Sequence, residues 1–287
     1  MGTRFSKSGR SVVVTDAGRG MGREIALGLA AKRYIVFGTA ASAKEAEDLR
    51  DASKGRVSLA VCDLRNTGVV SAWADGVSEA IGGSGLDILI NTTAHVSPGP
   101  IELLQPGEVR KGFEANVFGG LAVINAFLPA LRKSHGRIVQ ISSWTTDTLL
   151  HLDGVTGASQ AAMEVFAAAY RAELRPFAID VIVASTGDLG VDGARAPVAL
   201  AQIDHSMTAV QRKLYGSSLR ACMERLAGTA ERGQAATTVA RVVQLAIQKN
   251  APVRSDIDRD AELMMRAIRE RTDVELDALG LGPARPK

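Results

Sequence analysis

Ser143 closes a short apolar run, Ile138-Val139-Gln140-Ile141-Ser142, and an Ala-rich stretch follows from Gly157 through Phe166 and Tyr170 to Pro176. The first run reads as a strand that delivers a hydroxyl to its C-terminal end, and the second as a helix. Open α/β sheets bind their ligands at that edge. A second chemical pattern lies near the N-terminus. Ser11-Val12-Val13-Val14-Thr15 runs straight into Asp16-Ala17-Gly18-Arg19-Gly20-Met21-Gly22, and Arg23 to Ala30 then carries apolar residues at helical spacing. Strand, Gly-rich turn and helix start form a phosphate cradle. The glycines let the backbone approach a pyrophosphate, and the N–H groups of the first helical turn point at it. Thr15, Arg19, Gly20, Met21 and Gly22 are therefore candidate ligands of a phosphorylated cofactor.

These residues need a scaffold, and the chain alternates in the way that supplies one. Tyr34 to Thr39, Val57 to Cys62, Leu86 to Asn91 and Ile179 to Ala184 read as strands. Ser42 to Ala52, Val69 to Ile81 and Gly107 to Leu131 read as helices, the last interrupted or ended near Pro129. Strands separated by helices predict right-handed βαβ units and an α/β fold with a Rossmann-type, doubly wound parallel sheet. A single domain spanning 1–287 is expected, with a lid over about 188–235 and a C-terminal helix and tail over about 256–287. Within the lid, Asp188 to Ala201 reads as irregular and Gln202 to Ala227 as one amphipathic helix. Thr238 to Gln248 reads as a helix, and Pro252-Val253-Arg254 as an edge strand, where a proline is tolerated.

Composition removes several function classes. The chain has 287 residues, 46% of them hydrophobic and 23% charged, with a net charge of +3. Lys and Arg are dispersed, which disfavours a nucleic-acid partner. Cys62 and Cys222 have no metal-type spacing and suit a reducing cytoplasm, so no metal and no disulfide is expected. No apolar run reaches the ~18–20 residues of a membrane span.

With these landmarks in order, the chain resembles the short-chain dehydrogenase/reductase family over roughly Gly9 to Arg259. Thr15 to Gly22 stands where that family has Thr-Gly-x-x-x-Gly-x-Gly, with Asp16 in place of the first glycine. Cys62-Asp63-Leu64 is similar to the segment whose Asp holds adenine, and Asn91-Thr92-Thr93-Ala94 lies where Asn-Asn-Ala-Gly is usual. Asn116 matches the helix Asn of the proton relay, and Ser143 the catalytic Ser. Thr186-Gly187 lies where Pro-Gly is usual, and Gly187 and Leu189 would line the cofactor. Val191 stands where a Thr often binds the carboxamide. The ending, Pro252 to Ala261, looks like that of the hydroxysteroid or retinol dehydrogenase branch. The resemblance puts Tyr and Lys thirteen and seventeen positions after the Ser, and here those positions hold Thr156 and Gln160.

That substitution divides the functional expectations. A phenol beside an ammonium can be tuned to exchange a proton with a carbinol, whereas an aliphatic hydroxyl beside a neutral amide cannot. The first expectation is a weakly active oxidoreductase on a small hydrophobic alcohol or ketone. The second is an inactive pseudoenzyme that binds or senses a ligand, or partners an active homologue. The third is a non-redox enzyme using His151 or Asp147, with His95 as another available imidazole and Trp144 filling the cavity. The second strand ends at Thr39-Ala40-Ala41 without an acid for a ribose hydroxyl, which together with Arg19 favours NADP over NAD. The helices at 107–131 and 157–175 match the family's four-helix interface, which implies a homo-oligomer (dimer or tetramer) or a hetero-oligomer.

Overall fold

The structure, a computed structural model, describes residues 9–143, 152–186, 195–230 and 236–270. Seven strands form one sheet: β1 (Ser11–Val14), β2 (Ile35–Ala40), β3 (Val57–Val61), β4 (Ile88–Asn91), β5 (Arg137–Ser143), β6 (Asp180–Thr186) and β7 (Arg254–Asp256). Their order is β3-β2-β1-β4-β5-β6-β7, and every pairing is parallel. β1, β4 and β5 are buried at every position, as a parallel sheet covered on both faces requires. The chain moves outward from β1 to β3 and then returns to place β4 on β1's other side. That reversal opens a crevice at the C-terminal ends of β1 and β4.

Helices cover both faces. α1 (Gly20–Ala31) and α9 (Ala236–Ile247) bring Ile25, Leu29, Val242 and Leu245 onto one face, and α2 (Ala43–Ala52) adds Leu49. On the other, α3 (Thr67–Ala80), α5 (Gly120–Ser134) and α6 (Gly154–Leu174) bury Val70, Ile124, Phe127 and Met163. Burying each such side chain contributes about 1.5–3 kcal/mol, before the entropy of ordering it is charged. Arg137 fastens α9 to the sheet: its Nη1 donates to the Leu245 and Gln248 carbonyls at 2.8 and 2.7 Å, and its Nη2 meets Asp180 at 2.8 Å. β7 sits on the edge, as expected. Glu164 of α6 ties it down by accepting from the Ser142 hydroxyl and pairing with Arg254.

Three expectations change. The helix over 107–131 is two helices, α4 (Pro106–Phe113) and α5, joined by a π segment, Glu114–Gly119. The irregularity is thus at Asn116 and not at Pro129, which α5 accommodates in its interior. The combined stretch 106–134 is long and apolar enough to cross a membrane by length and composition, which the sequence reading did not anticipate. Half of that window is buried inside the fold, where its apolar face packs under the sheet. Residues 195–230 form α7 (Arg195–Ser206) and α8 (Ala209–Ala230), not an irregular stretch and one helix. Thr208 and Gln211 exchange bonds at the start of α8, a capping box that restarts the helix there. Leu200, Leu219 and Cys222 of this pair pack near Leu103 and Leu152. The final helix, α10 (Arg259–Glu270), begins where the sequence places it.

Candidate active site

The turn from β1 to α1 sets the geometry of the crevice. Gly20 has φ of 52°, the left-handed region that glycine adopts without strain. A Cβ on Gly22 would collide with the Asp16 carbonyl oxygen. Asp16 stands at φ 48°, a position that favours glycine; its amide donates to the Thr39 hydroxyl at 2.8 Å, and its carboxylate faces the Arg19 guanidinium at 3.7 Å. α2 and α3 are capped by Ser42 and Asn66, but Arg19 at the start of α1 makes no capping bond, and the first turn of α1 holds no acid. Backbone donors there meet no capping side chain, the condition under which a helix start receives an anion. The Met21 side chain packs into the core, so this residue offers only its backbone.

Beyond the turn lies a cavity of about 370 Å³, walled by Thr39 and Ala41 at the end of β2, Asp63 and Arg65 after β3, and Thr93 and His95 after β4. Arg19 and Asp16 also line it. Asp63 lines this cavity, but it does not stand alone. Arg65 Nε and Nη2 donate to its two carboxylate oxygens at 2.9 and 2.7 Å, and the Arg65 side-chain bonds hold Asp63 below its ordinary pKa. Cys62, in the same wall, is pushed upward, first by burial and then by the Asp63 charge. Arg65 carried no signal beyond its place two residues after Asp63.

Thr15 and Asn91 take another role. The Thr15 hydroxyl donates to Asn91 Oδ1 at 3.0 Å and accepts from the Thr92 amide at 2.9 Å, while Asn91 Nδ2 donates to Gln140 Oε1 at 2.9 Å. Both residues are fully buried. Their side chains lace β1, β4 and β5 together and are not directed at the cavity.

Asn116 is likewise occupied. Its Oδ1 accepts from the His95 amide at 2.5 Å, and its Nδ2 donates to the His95 carbonyl and the Ser159 hydroxyl, both at 2.9 Å. Placing this side chain against the loop after β4 coincides with the π segment. The Thr156 hydroxyl, in the first turns of α6, accepts from the Ser97 amide at 3.2 Å and is buried. Ser97 and Ser159 are contacts that sequence reasoning missed, because strand-to-loop bonds leave no periodic trace. Gln160, one helical turn beyond Thr156, is 1% exposed, and neither its Nε2 nor its Oε1 has a partner among the described residues. Ser143 is buried at the last position of β5, opposite Thr186. Trp144, Asp147, His151, Gly187, Leu189 and Val191 lie outside the described residues.

An unpartnered buried amide costs free energy, about 1–3 kcal/mol per group, unless a ligand satisfies it. The uncapped helix start, the glycine that admits no Cβ and the orphan amide of Gln160 all suit a nucleotide with a pyrophosphate and ribose hydroxyls. The residues present fit a dinucleotide. The chain also matches the short chain dehydrogenase family over residues 10–197. It belongs to that family.

A family relative from Penicillium crustosum, the short-chain dehydrogenase PC-15, is 30% identical over 179 residues, covering 62% of this chain and 65% of that protein. The chain spans only about half to two thirds of the length of the first curated relatives it matches, 48% to 65%. Among solved structures, a short-chain dehydrogenase from Streptomyces avermitilis superposes with a TM-score of 0.78 at 23% identity, covering 96% of this chain and 97% of that one. A 3-ketoacyl-(acyl-carrier-protein) reductase from Brucella melitensis, solved with NADH, has a TM-score of 0.59 at 20% identity and covers 63% of this chain and 76% of that one. At these identities the structures establish the shared fold.

Proposed function

We propose that the protein is an oxidoreductase that uses a nicotinamide dinucleotide and acts slowly on a hydrophobic alcohol or ketone. The observation that carries this reading is the start of α1, which has no side-chain cap and no acid in its first turn and lies beside the cavity that Arg19 and Asp16 line. When bound, the dinucleotide supplies or accepts the hydride at the carbon that bears the substrate oxygen. The chain's own residues bind and orient. Backbone N–H groups of Gly20, Met21 and Gly22 would hold the pyrophosphate, and the Gln160 amide would meet ribose hydroxyls. Ser143 orients the substrate oxygen from the end of β5. The apolar cluster of α7 and α8 supports an apolar substrate and a lid role for this region.

Proton transfer is the weak step. The Thr156 hydroxyl is held by the Ser97 amide and does not titrate near neutrality, and neutral Gln160 adds no field. Positioned acid–base groups contribute about 10²–10⁴-fold, so turnover falls short of a phenol–ammonium pair by that order. Calorimetric titration with NADH and NADPH tests the first requirement. Saturable binding is expected, and no binding at millimolar dinucleotide would sink the proposal. Single-turnover reduction of hydrophobic ketones tests the second: a slow rate is expected in the native chain. Thr156→Tyr with Gln160→Lys is expected to raise it.

One set of observations favours a second reading, a binding or sensing protein or the non-catalytic partner of an active homologue. The Asn116 amide and the Thr156 hydroxyl both serve the backbone of the loop after β4. Dinucleotide binding with no ketone reduction at saturation would decide for it. Association through α5 and α6 is part of either reading. It is supported by Phe118 and Val165, which expose apolar side chains on the adjoining π segment and α6. Cytoplasmic residence accords with the absence of a disulfide at Cys62 or Cys222.

A further inference from the structure

We infer that Asp16 is a built-in rival of the pyrophosphate and keeps dinucleotide affinity low, an inference that rests on the dinucleotide reading above. The turn after β1 holds residue 16 at φ 48°, a conformation that glycine adopts freely and an L side chain rarely does. The geometry of the turn therefore does not require a carboxylate there. The residue is also pinned. Its amide donates to the Thr39 hydroxyl at 2.8 Å, and the Ala17 amide donates to the Thr39 carbonyl at 2.8 Å. On the other side, a Cβ on Gly22 would collide with the Asp16 carbonyl oxygen. A backbone held on two sides leaves the side chain little room to withdraw, and Asp16 and Arg19 both line the cavity.

Two effects at this wall then oppose an anion. The pyrophosphate that the start of α1 would receive is dianionic, and a carboxylate in the same turn repels it. The second effect falls on Arg19, the only cation between Thr15 and Gly22. Its Nε faces Asp16 Oδ1 at 3.7 Å, so the charge that could have met a phosphate is offset before a ligand arrives. Both side chains are part-exposed, and dissolved salt screens their fields. Glycine or asparagine would enter the same left-handed turn without the charge. The carboxylate at this position thus sets affinity, and it acts on the pyrophosphate, the part that NADH and NADPH share. A dinucleotide held weakly is released readily, so occupancy follows its concentration instead of saturating.

The experiment measures binding of NADH, NADPH and adenosine to the full chain and to Asp16→Asn by calorimetry, at low and high salt. Asn keeps the shape and tolerates the left-handed backbone while it removes the charge. Asp16→Asn is expected to bind both dinucleotides about tenfold more tightly than the native chain, with the gain shrinking at high salt. Adenosine, which lacks the phosphates, is expected to bind both proteins alike or neither. Asp16→Gly removes the charge through a different residue and is expected to show the same gain, which separates charge from an effect peculiar to the amide. Dinucleotide affinities that are equal or lower in both variants overturn the inference and leave the dinucleotide reading standing. So does a gain that is as large for adenosine, or one that salt does not change. Binding that appears only in the variants upholds the inference and ends the reading of the native chain as a dinucleotide-dependent enzyme. If neither the native chain nor a variant binds a dinucleotide, both fall together.

Discussion

The Asp63 carboxylate shows how a single charge at this site is set by its neighbour. Arg65 grips both of its oxygens and holds its pKa below the ordinary value. A carboxylate depressed in the folded state lends stability that is present above its unfolded pKa and is lost as pH falls through the lower, folded one. Both side chains are about half exposed, so solvent screening keeps that contribution below about 1 kcal/mol. Arg65→Ala is expected to raise the Asp63 midpoint in an NMR titration toward the usual carboxylate value, with little loss of stability at neutral pH. A midpoint that does not move would remove Arg65 as the cause. Asn91 and Thr15 teach a different lesson at the same scale. Their side chains match an expected cofactor contact by position, yet each is satisfied within the sheet. Residue type and spacing located these side chains, but only their bonds showed what they serve.

At the scale of elements, the connections matter more than the elements themselves. The strands and most helices fall within a few residues of their sequence-based bounds, because alternating apolar runs and Gly-rich turns are local signals. The π segment at Glu114–Gly119 was not legible, since what accompanies it is a contact between Asn116 and the distant His95 backbone. The split between α7 and α8 was legible in principle, through Thr208-Ala209-Val210-Gln211 as a capping box. Arg137 tethers distant elements from a single side chain, meeting the end of α9 and Asp180. Arg137→Met fills similar volume and leaves those carbonyls without their donor. Chemical denaturation is expected to show a loss of about 2–4 kcal/mol, as for removing one partner of a buried charged network. A loss under half that range would mean water replaces the guanidinium.

At the scale of the whole molecule, the open question is which surfaces meet other molecules. Phe118 is 59% exposed and Val165 is 71% exposed, on a π segment and a helix that pack against each other. Exposed apolar side chains that gather into a patch mark an interaction surface. The native chain is expected to run as a dimer or larger in light scattering, and Phe118→Asp with Val165→Asp as a monomer that keeps its secondary structure. A native monomer at micromolar concentration would refute the association. The sequence by itself determined the α/β class, the parallel sheet, the Gly-rich turn after β1 and the residues at Thr156 and Gln160. All of these are properties of residue type and local order. Only the tertiary structure decided that the Thr39 hydroxyl binds the Asp16 amide and that Asn116 and Thr156 bind the loop after β4. It also left the Gln160 amide without a partner among the described residues. Those outcomes depend on which distant backbone groups fold within about 3 Å of a side chain, the range of a hydrogen bond, and that distance is not written in any local pattern.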